Sequence, residues 1–366
     1  MNITETLNGI LEALSRCKNL LIVIKGSPDP DVIASSYALK LLATHRGVHA
    51  QIVALARISL PQNSAIVNEL GISMSFDEQG PSPEGHDAYA VLDHQSAYVE
   101  RLSGRIPCAI HIDHHEKTED TVNSGYSLIS TTAGSVSTIM ALVLKNAGLG
   151  LSPSERRNVA TALYLGMLTD TDNFRHAGPH EQEAVEFLSP MMDKKIISRI
   201  TSVPLSDQTQ QLIGRALTGK VLYRDWLFAG LGYIDESIRD SIAITADFLL
   251  EREDAQTVII YAMIDRRHGL TLDASFRTRN PNLDLDTLIK KITPNGGGRM
   301  YKGAFQINLD YFRNYDDRDA LWSLLDGATR QVLRASRDGM HFTELKGFYR
   351  RMKRTLRTLF TGEESD

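Results

Sequence analysis

The feature that most constrains this chain is an alternation, through its first half, between strand-sized apolar runs and segments with helical apolar spacing. The run from Asn19 to Lys25 (NLLIVIK) is continuous, short and rich in β-branched residues, which predicts a strand buried on both faces. It stops at the turn-forming stretch Gly26 to Asp31 (GSPDPD), and a helix is predicted from about Val32 to His45. Ala50 to Leu55, Tyr89 to Asp93 and Cys108 to Asp113 give second, third and fourth strands. Thr4 to Ser15, Ser135 to Ala147 and Ser154 to Leu168 have helical spacing, the last with Ser152 or Ser154 available as a cap. Strands alternating with helices predict an α/β fold with a doubly wound parallel sheet.

At 366 residues the chain is too long for one compact core. The pattern changes near residue 200, which divides it into a first domain at 1–195, a linker at 196–220 with a helix from Ser206 to Leu217, a smaller α/β domain at 221–318 and a basic helical extension at 319–366. In the second domain, strands are predicted at Val221 to Leu231, Thr257 to Asp265, Leu270 to Arg277 and Gly303 to Leu309. Helices fall at about Ile238 to Arg252 and Leu285 to Ile292. Cys17 and Cys108 are the only cysteines, which leaves no disulfide framework or cysteine metal site and suits a reducing cytoplasm. Neither a signal-like leader nor an apolar run near the ~20 residues of a membrane span is expected. The net charge of −5 argues against a nucleic-acid-coating protein, though not against local basic patches.

Four segments carry candidate chemistry: Asp29 and Asp31 after the first strand, Asp93 ending the third, Asp113-His114-His115 ending the fourth, and Thr169-Asp170-Thr171-Asp172 after a helix. Ligands of open parallel sheets bind at the carboxyl ends of the strands, so groups distant in sequence are expected to converge there. Carboxylates gathered in one place repel unless a cation neutralises them. Mixed oxygen and imidazole donors suit manganese, or magnesium with some histidine, better than calcium. Two ions bridged by a shared carboxylate would make a phosphoryl-transfer site. Taken singly, each segment has a plainer explanation: Asp29 and Asp31 as turn formers or caps, the two histidines as a surface loop, Asp170 as part of a helix end. Their order and their shared position at strand ends favour a site.

The same residues resemble the DHH phosphoesterases joined to a DHHA1 domain. Asp113-His114-His115 matches the triplet that names the family; Pro28 to Ser35 resembles its first motif, Asp93 fits the second, and Gly166 to Thr171 the fourth. Ser275-Phe276-Arg277 and Asn295 to Gly298 resemble DHHA1, so that the likeness spans roughly residues 15 to 315. Similar proteins include nanoRNases that also dephosphorylate 3′-phosphoadenosine 5′-phosphate, dinucleotide phosphodiesterases and RecJ-type exonucleases, while family II pyrophosphatases share the first domain. The resemblance implies a Mn2+- or Mg2+-dependent phosphohydrolase holding one or two ions on Asp29, Asp31, Asp93, His114 and Asp170, with Asp93 bridging. Asp113 and His115 would orient ligands or meet substrate. The implied substrate is a dinucleotide, a short oligonucleotide or a nucleoside bisphosphate. Modest size counts against an exonuclease acting on long strands.

Two positions depart from the pattern. Lys25 stands where the first motif implies a metal-ligating histidine, and a protonated ammonium has no lone pair for a metal. It is expected to point into the metal site and bring positive charge to the vacated place. Arg299 replaces the histidine that follows the DHHA1 glycines. A catalytically weakened nucleotide-binding or regulatory module is therefore the competing reading. Gly296, Gly297 and Gly298 would let backbone N–H groups approach a phosphate, or simply form a loop. Arg175, Arg277, Arg279 and Arg299 are candidate substrate contacts, with solvated strand edges as the alternative for Arg277 and Arg279. The tail, with Arg330, Arg334, Arg337, Lys346, Arg350, Arg351, Lys353, Arg354 and Arg357, would pack on its own protein or on a homodimer mate, or meet an anionic partner.

Overall fold

The computed structural model describes residues 1–115, 122–266 and 269–339, in two compact units, Met1–Pro204 and Leu205–Asp366. The first unit is built on a six-stranded sheet, all parallel, in the order β3-β2-β1-β4-β5-β6. Its strands are β1 (Asn19–Ile24), β2 (His49–Ala54), β3 (Ser75–Phe76), β4 (Ala88–Leu92), β5 (Cys108–Asp113) and β6 (Ser124–Ile129). Its helices are α1 (Ile3–Ser15), α2 (Pro30–His45), α3 (Pro61–Glu69), α4 (Val136–Ala147), α5 (Pro153–Asp170), α6 (Pro179–Leu188) and α7 (Lys194–Thr201).

The unbroken apolar run of β1 is explained by burial on both sides. Leu20, Ile22 and Ile24 join the core under the helices, while Leu21 and Val23 join a second layer with Tyr89, Val91, Ala97, Val99 and Leu102. That second face is covered by the connection between β4 and β5, without a helix in it. From β1 the chain winds outward through β2 and β3; it then returns to β4 beside β1 and winds the other way. The reversal lies between β1 and β4, so the crevice for a ligand opens beyond the carboxyl ends of those two strands.

The second unit opens with α8 (Asp207–Gly219) and holds a mixed sheet in the order β11-β12-β10-β9-β8-β7. The strands are β7 (Val221–Tyr223), β8 (Trp226–Asp235), β9 (Thr257–Arg266), β10 (Gly269–Thr278), β11 (Gly296–Gly298) and β12 (Lys302–Asn308); α9 (Ser241–Arg252), α10 (Leu285–Ile292) and α11 (Arg318–Arg337) complete it. The strand expected from Val221 to Leu231 is instead a hairpin, because Arg224 turns the chain at φ 55° and pairs β7 back on β8. The glycine triplet, expected to precede a strand, is itself a strand paired with β12. On the tail, Leu321 and Leu333 of α11 are buried with Trp226 and Phe228. Arg330 pairs with Asp326, Arg337 with Asp225, and Arg334 lies over the Tyr223 ring, so the described part of the basic segment packs on its own unit. Lys346 to Arg357 lie outside the described residues.

Candidate metal centre

The site is assembled at the sheet's reversal. Immediately after β1, Asp29 caps α2 by accepting the Val32 N–H at 3.0 Å, which is the plain role expected of an aspartate there. Its carboxyl is nevertheless pushed well up, by burial first and then by the charges of Asp93, Asp170 and Asp31, although Asp29 is not in the group whose ligand atoms gather within 4.8 Å. Asp31, in the first turn of α2, is fully buried. Its two oxygens accept the Val136 and Ser137 N–H groups at 2.8 and 2.6 Å, at the start of α4. Each carboxylate oxygen has a second lone pair to offer. Burial, Asp93 and Asp170 raise Asp31 to about 8, despite the helix terminus that favours its charge.

Beyond β4 and β5 come Asp93 and the Asp-His-His triplet. His114 Nε2 lies 3.0 Å from Asp170 Oδ2 and 3.4 Å from Asp93 Oδ1. Burial alone would lower His114, but the hydrogen bonds to Asp170 and Asp93 win and raise it to about 10. Asp113 ends β5 with its carboxylate turned inward. Oδ1 accepts the His114 N–H at 2.8 Å and the His115 Nδ1–H at 2.7 Å. Burial pushes Asp113 up, yet the His115 contacts outweigh it and hold the carboxyl below its usual range. His115 is thereby oriented through Nδ1, and its side chain remains 28% exposed.

Asp170 reaches this place because α5 approaches α2 and α4 closely. A Cβ on Gly166 would lie 2.2 Å from Ser137 Oγ and 3.1 Å from Asp31 Cα, so the glycine of the fourth motif sets that approach. Just beyond, Asp172, Asn173 and Phe174 take left-handed backbone at φ 52°, 55° and 62°, and Asp93 does so at 52°. Such conformations are disfavoured for residues with a Cβ and cluster at functional sites.

Ligand atoms from Asp31, Asp93, His114 and Asp170 all lie within 4.8 Å of one another, and Asp93, His114 and His115 form an overlapping group. Asp93 Oδ1 is buried, and its nearest polar neighbours are the His114 and His115 rings at 3.4 and 3.7 Å, longer than a well-formed hydrogen bond, so the oxygen is weakly partnered and available to a cation. Three carboxylates and one imidazole fit a hard or borderline divalent ion.

Among the other candidates, Arg175 Nη1 lies 3.4 Å from Asp172 Oδ2, one turn beyond Asp170. Lys25 Nζ donates to the Ser96 and Tyr98 carbonyls at 2.9 and 2.7 Å. In the second unit Arg277 makes a two-nitrogen contact with Asp247, and Arg279 donates to the carbonyls of Leu250, Glu253 and Ala255. The glycines have a packing role: a Cβ on Gly296 would lie 2.6 Å from Ile289, one on Gly297 2.8 Å from Asp286, and one on Gly298 2.7 Å from Leu285, so they let α10 lie close on β11. Arg299 closes the hairpin to β12 through backbone bonds with Lys302. Two residues near the centre escape the sequence reading. His94 follows Asp93, its Nδ1 meeting the Ser96 N–H at 3.0 Å, and His111 Nε2 donates to the His94 carbonyl at 2.7 Å. The signal for His94 was adjacency to a candidate ligand, whereas His111 lies inside a strand and gave none. Asp172, in the fourth candidate segment, holds Arg175.

No family model matches the chain. An uncharacterized protein of Methanocaldococcus jannaschii is 31% identical over 314 residues, covering 85% of this chain and 62% of that protein. A probable manganese-dependent inorganic pyrophosphatase of Deinococcus radiodurans is 27% identical over 172 residues, 45% of this chain and 51% of the relative. The chain thus spans less than two thirds of these relatives' lengths. Among solved structures, an exopolyphosphatase-related protein from Bacteroides fragilis shares the fold with a TM-score of 0.66 at 16% identity, over 91% of this chain and 97% of that one.

Proposed function

Because the chain resembles the DHH-type phosphoesterases in its fold as well as in its ordered motifs, we propose that it is a divalent-metal-dependent phosphohydrolase acting on a dinucleotide, a short oligonucleotide or a nucleoside bisphosphate. The observation that carries this reading is the cluster of Asp31, Asp93, His114 and Asp170, whose ligand atoms all lie within 4.8 Å of one another. These four residues, with Asp29 beside them, would hold Mn2+ or Mg2+. When bound, such an ion neutralises phosphate charge and makes a coordinated water acidic enough to attack at neutral pH.

The remaining work falls to the protein's own groups. Asp113 accepts the His115 Nδ1–H, so Nε2 of the neutral ring carries a lone pair; it would first take a proton and then, as imidazolium, give that proton to the departing oxygen. Arg175, poised on Asp172, would take up substrate phosphate. Arg277, Arg279, Arg299 and the Gly296–Gly298 backbone are proposed contacts for the non-reacting part of the substrate. Arg277 and Arg279 would have to exchange their present partners for it. One observation favours a second reading, a nucleotide-binding module with weak turnover: Lys25, at an implied ligand position, gives its ammonium to backbone carbonyls.

The test is a turnover panel on the full chain with Mn2+ or Mg2+, using a dinucleotide, a nucleoside 3′,5′-bisphosphate, a short oligonucleotide and inorganic pyrophosphate. Metal content is measured on the same sample. Metal-dependent release of a nucleotide or phosphate is expected. Tight nucleotide binding without release would favour the module, and a protein that takes up neither metal nor nucleotide would defeat both readings.

A further inference from the structure

Lys25 follows directly on β1, and the two carbonyls that receive its ammonium, those of Ser96 and Tyr98, belong to the segment that leaves β4 just after Asp93. That segment is held at several points. The Asp93 N–H donates to the Ile112 carbonyl at 2.9 Å, His111 Nε2 donates to the His94 carbonyl at 2.7 Å, and the Ser96 N–H closes on His94 Nδ1. Ala97 and Val99 are buried beneath the sheet's second face. Asp93 itself sits at φ 52°, left-handed backbone that is uncommon for residues with a Cβ and that aspartate adopts more readily than most. The direction of its carboxylate therefore depends on the turn that holds this conformation.

Resting on the metal-site reading above, we infer that Lys25 is a positioning residue: its ammonium clamps the turn at Ser96 and Tyr98 and so aims the Asp93 carboxylate at the cation. A backbone clamp has replaced a metal–ligand bond at this position, and the ligand set is drawn from the carboxylates and His114. The geometry explains how a cation is tolerated where the motif implies a histidine. The ammonium meets at least two carbonyl dipoles and would act on a bound metal through the placement of Asp93.

Mn2+ affinity and stoichiometry, measured by calorimetry and equilibrium dialysis on the full chain, test this, with melting temperatures in EDTA as the folding control. Lys25→Met, which keeps the stem and removes the donors, is expected to weaken Mn2+ binding about 10- to 100-fold, as the loss of groups that orient metal ligands commonly does. Lys25→Arg, which can still donate to both carbonyls, recovers most of the affinity, and Lys25→His gains no additional ion. If Lys25→Met is unfolded at the assay temperature, Lys25→Gln, with one amide donor, should give an intermediate affinity. A purely structural role would lower the melting temperature and leave the affinity of the folded protein unchanged. That result, wild-type affinity in Lys25→Met, or a further tightly bound ion in Lys25→His would overturn the inference. A wild-type protein that binds no Mn2+ is a different outcome, removing the metal-site reading and this inference with it.

Discussion

The two units treat their conspicuous residues in opposite ways. In the first, acids and histidines from four distant segments are drawn to one point, where burial and then their mutual charges leave carboxyl groups raised, and hydrogen bonds to carboxylates leave an imidazole raised. In the second, the residues that look equally functional are already occupied: Arg277 by Asp247, Arg279 by helix-end carbonyls, the glycines by the approach of α10. A cluster that destabilises itself without a ligand invites one. A cluster whose charges and contacts are balanced can be explained by folding alone, and a substrate must displace its partners to be bound there.

The largest test of that contrast is in metal binding. Asp93→Ala and His114→Ala each remove a donor from the four-residue set. Loss of a supporting group commonly weakens metal affinity 10- to 100-fold, so loss of a donor should weaken Mn2+ binding by at least about 100-fold and lower turnover with it. Arg277→Ala should leave Mn2+ affinity unchanged in calorimetry. Equal losses in all three variants would erase the distinction between the two regions.

The same contrast decides how much could be read from the sequence. Buried parallel strands announce themselves as unbroken apolar runs, and the acid that follows each is carried to the same edge by topology; Asp29, Asp93 and Asp113 were legible for that reason. The strand β6 (SGYSLI) was not, because it lies at the sheet edge and its burial alternates. The short helices α3, α6 and α7 and the two-residue β3 were also passed over. In the second unit, Val221 to Leu231 is apolar apart from Arg224 and Asp225; that charged pair marks the break, but nothing in it specifies the left-handed backbone that makes Arg224 a turn residue. The partner of Lys25 was illegible for a related reason: it is a pair of backbone carbonyls some seventy positions away (|i−j| of 71 and 73), and carbonyls carry no sequence signature.

A second, smaller effect separates glycines by what they hold together. Gly166→Ala places a methyl against Ser137 and the Asp31 backbone, and Gly298→Ala places one against Leu285. Overpacking of this kind costs about 1–3 kcal/mol, so both variants should lose several degrees of melting temperature. Only Gly166→Ala is expected also to weaken Mn2+ binding, since it alone displaces α5 from the backbone that carries Asp31. Equal weakening of metal binding in Gly298→Ala would remove the distinction between the two glycines.

The smallest effect is in pH, and its sign follows from the two raised groups. Without metal, His114 is raised to about 10 and Asp31 to about 8, so the folded protein holds both protons more tightly than the unfolded chain does. Their contribution to stability is fully present below the unfolded values, about 6.5 for the imidazole and 3.9 for the carboxyl. It is lost as pH rises, through about 8 for Asp31 and about 10 for His114. A cation needs both groups deprotonated, so it replaces those protons and takes over their role as counter-charge. Two measurements follow. Apparent Mn2+ affinity should rise between pH 6.5 and 8, with protons released in buffers of differing ionisation enthalpy. The melting temperature in EDTA should fall by a few degrees from pH 6.5 to 9, and saturating Mn2+ should remove most of that fall. A metal-free protein whose stability climbs over this range would mean that the carboxylates and His114 are not sharing protons at one centre, and the first unit would then look as balanced as the second.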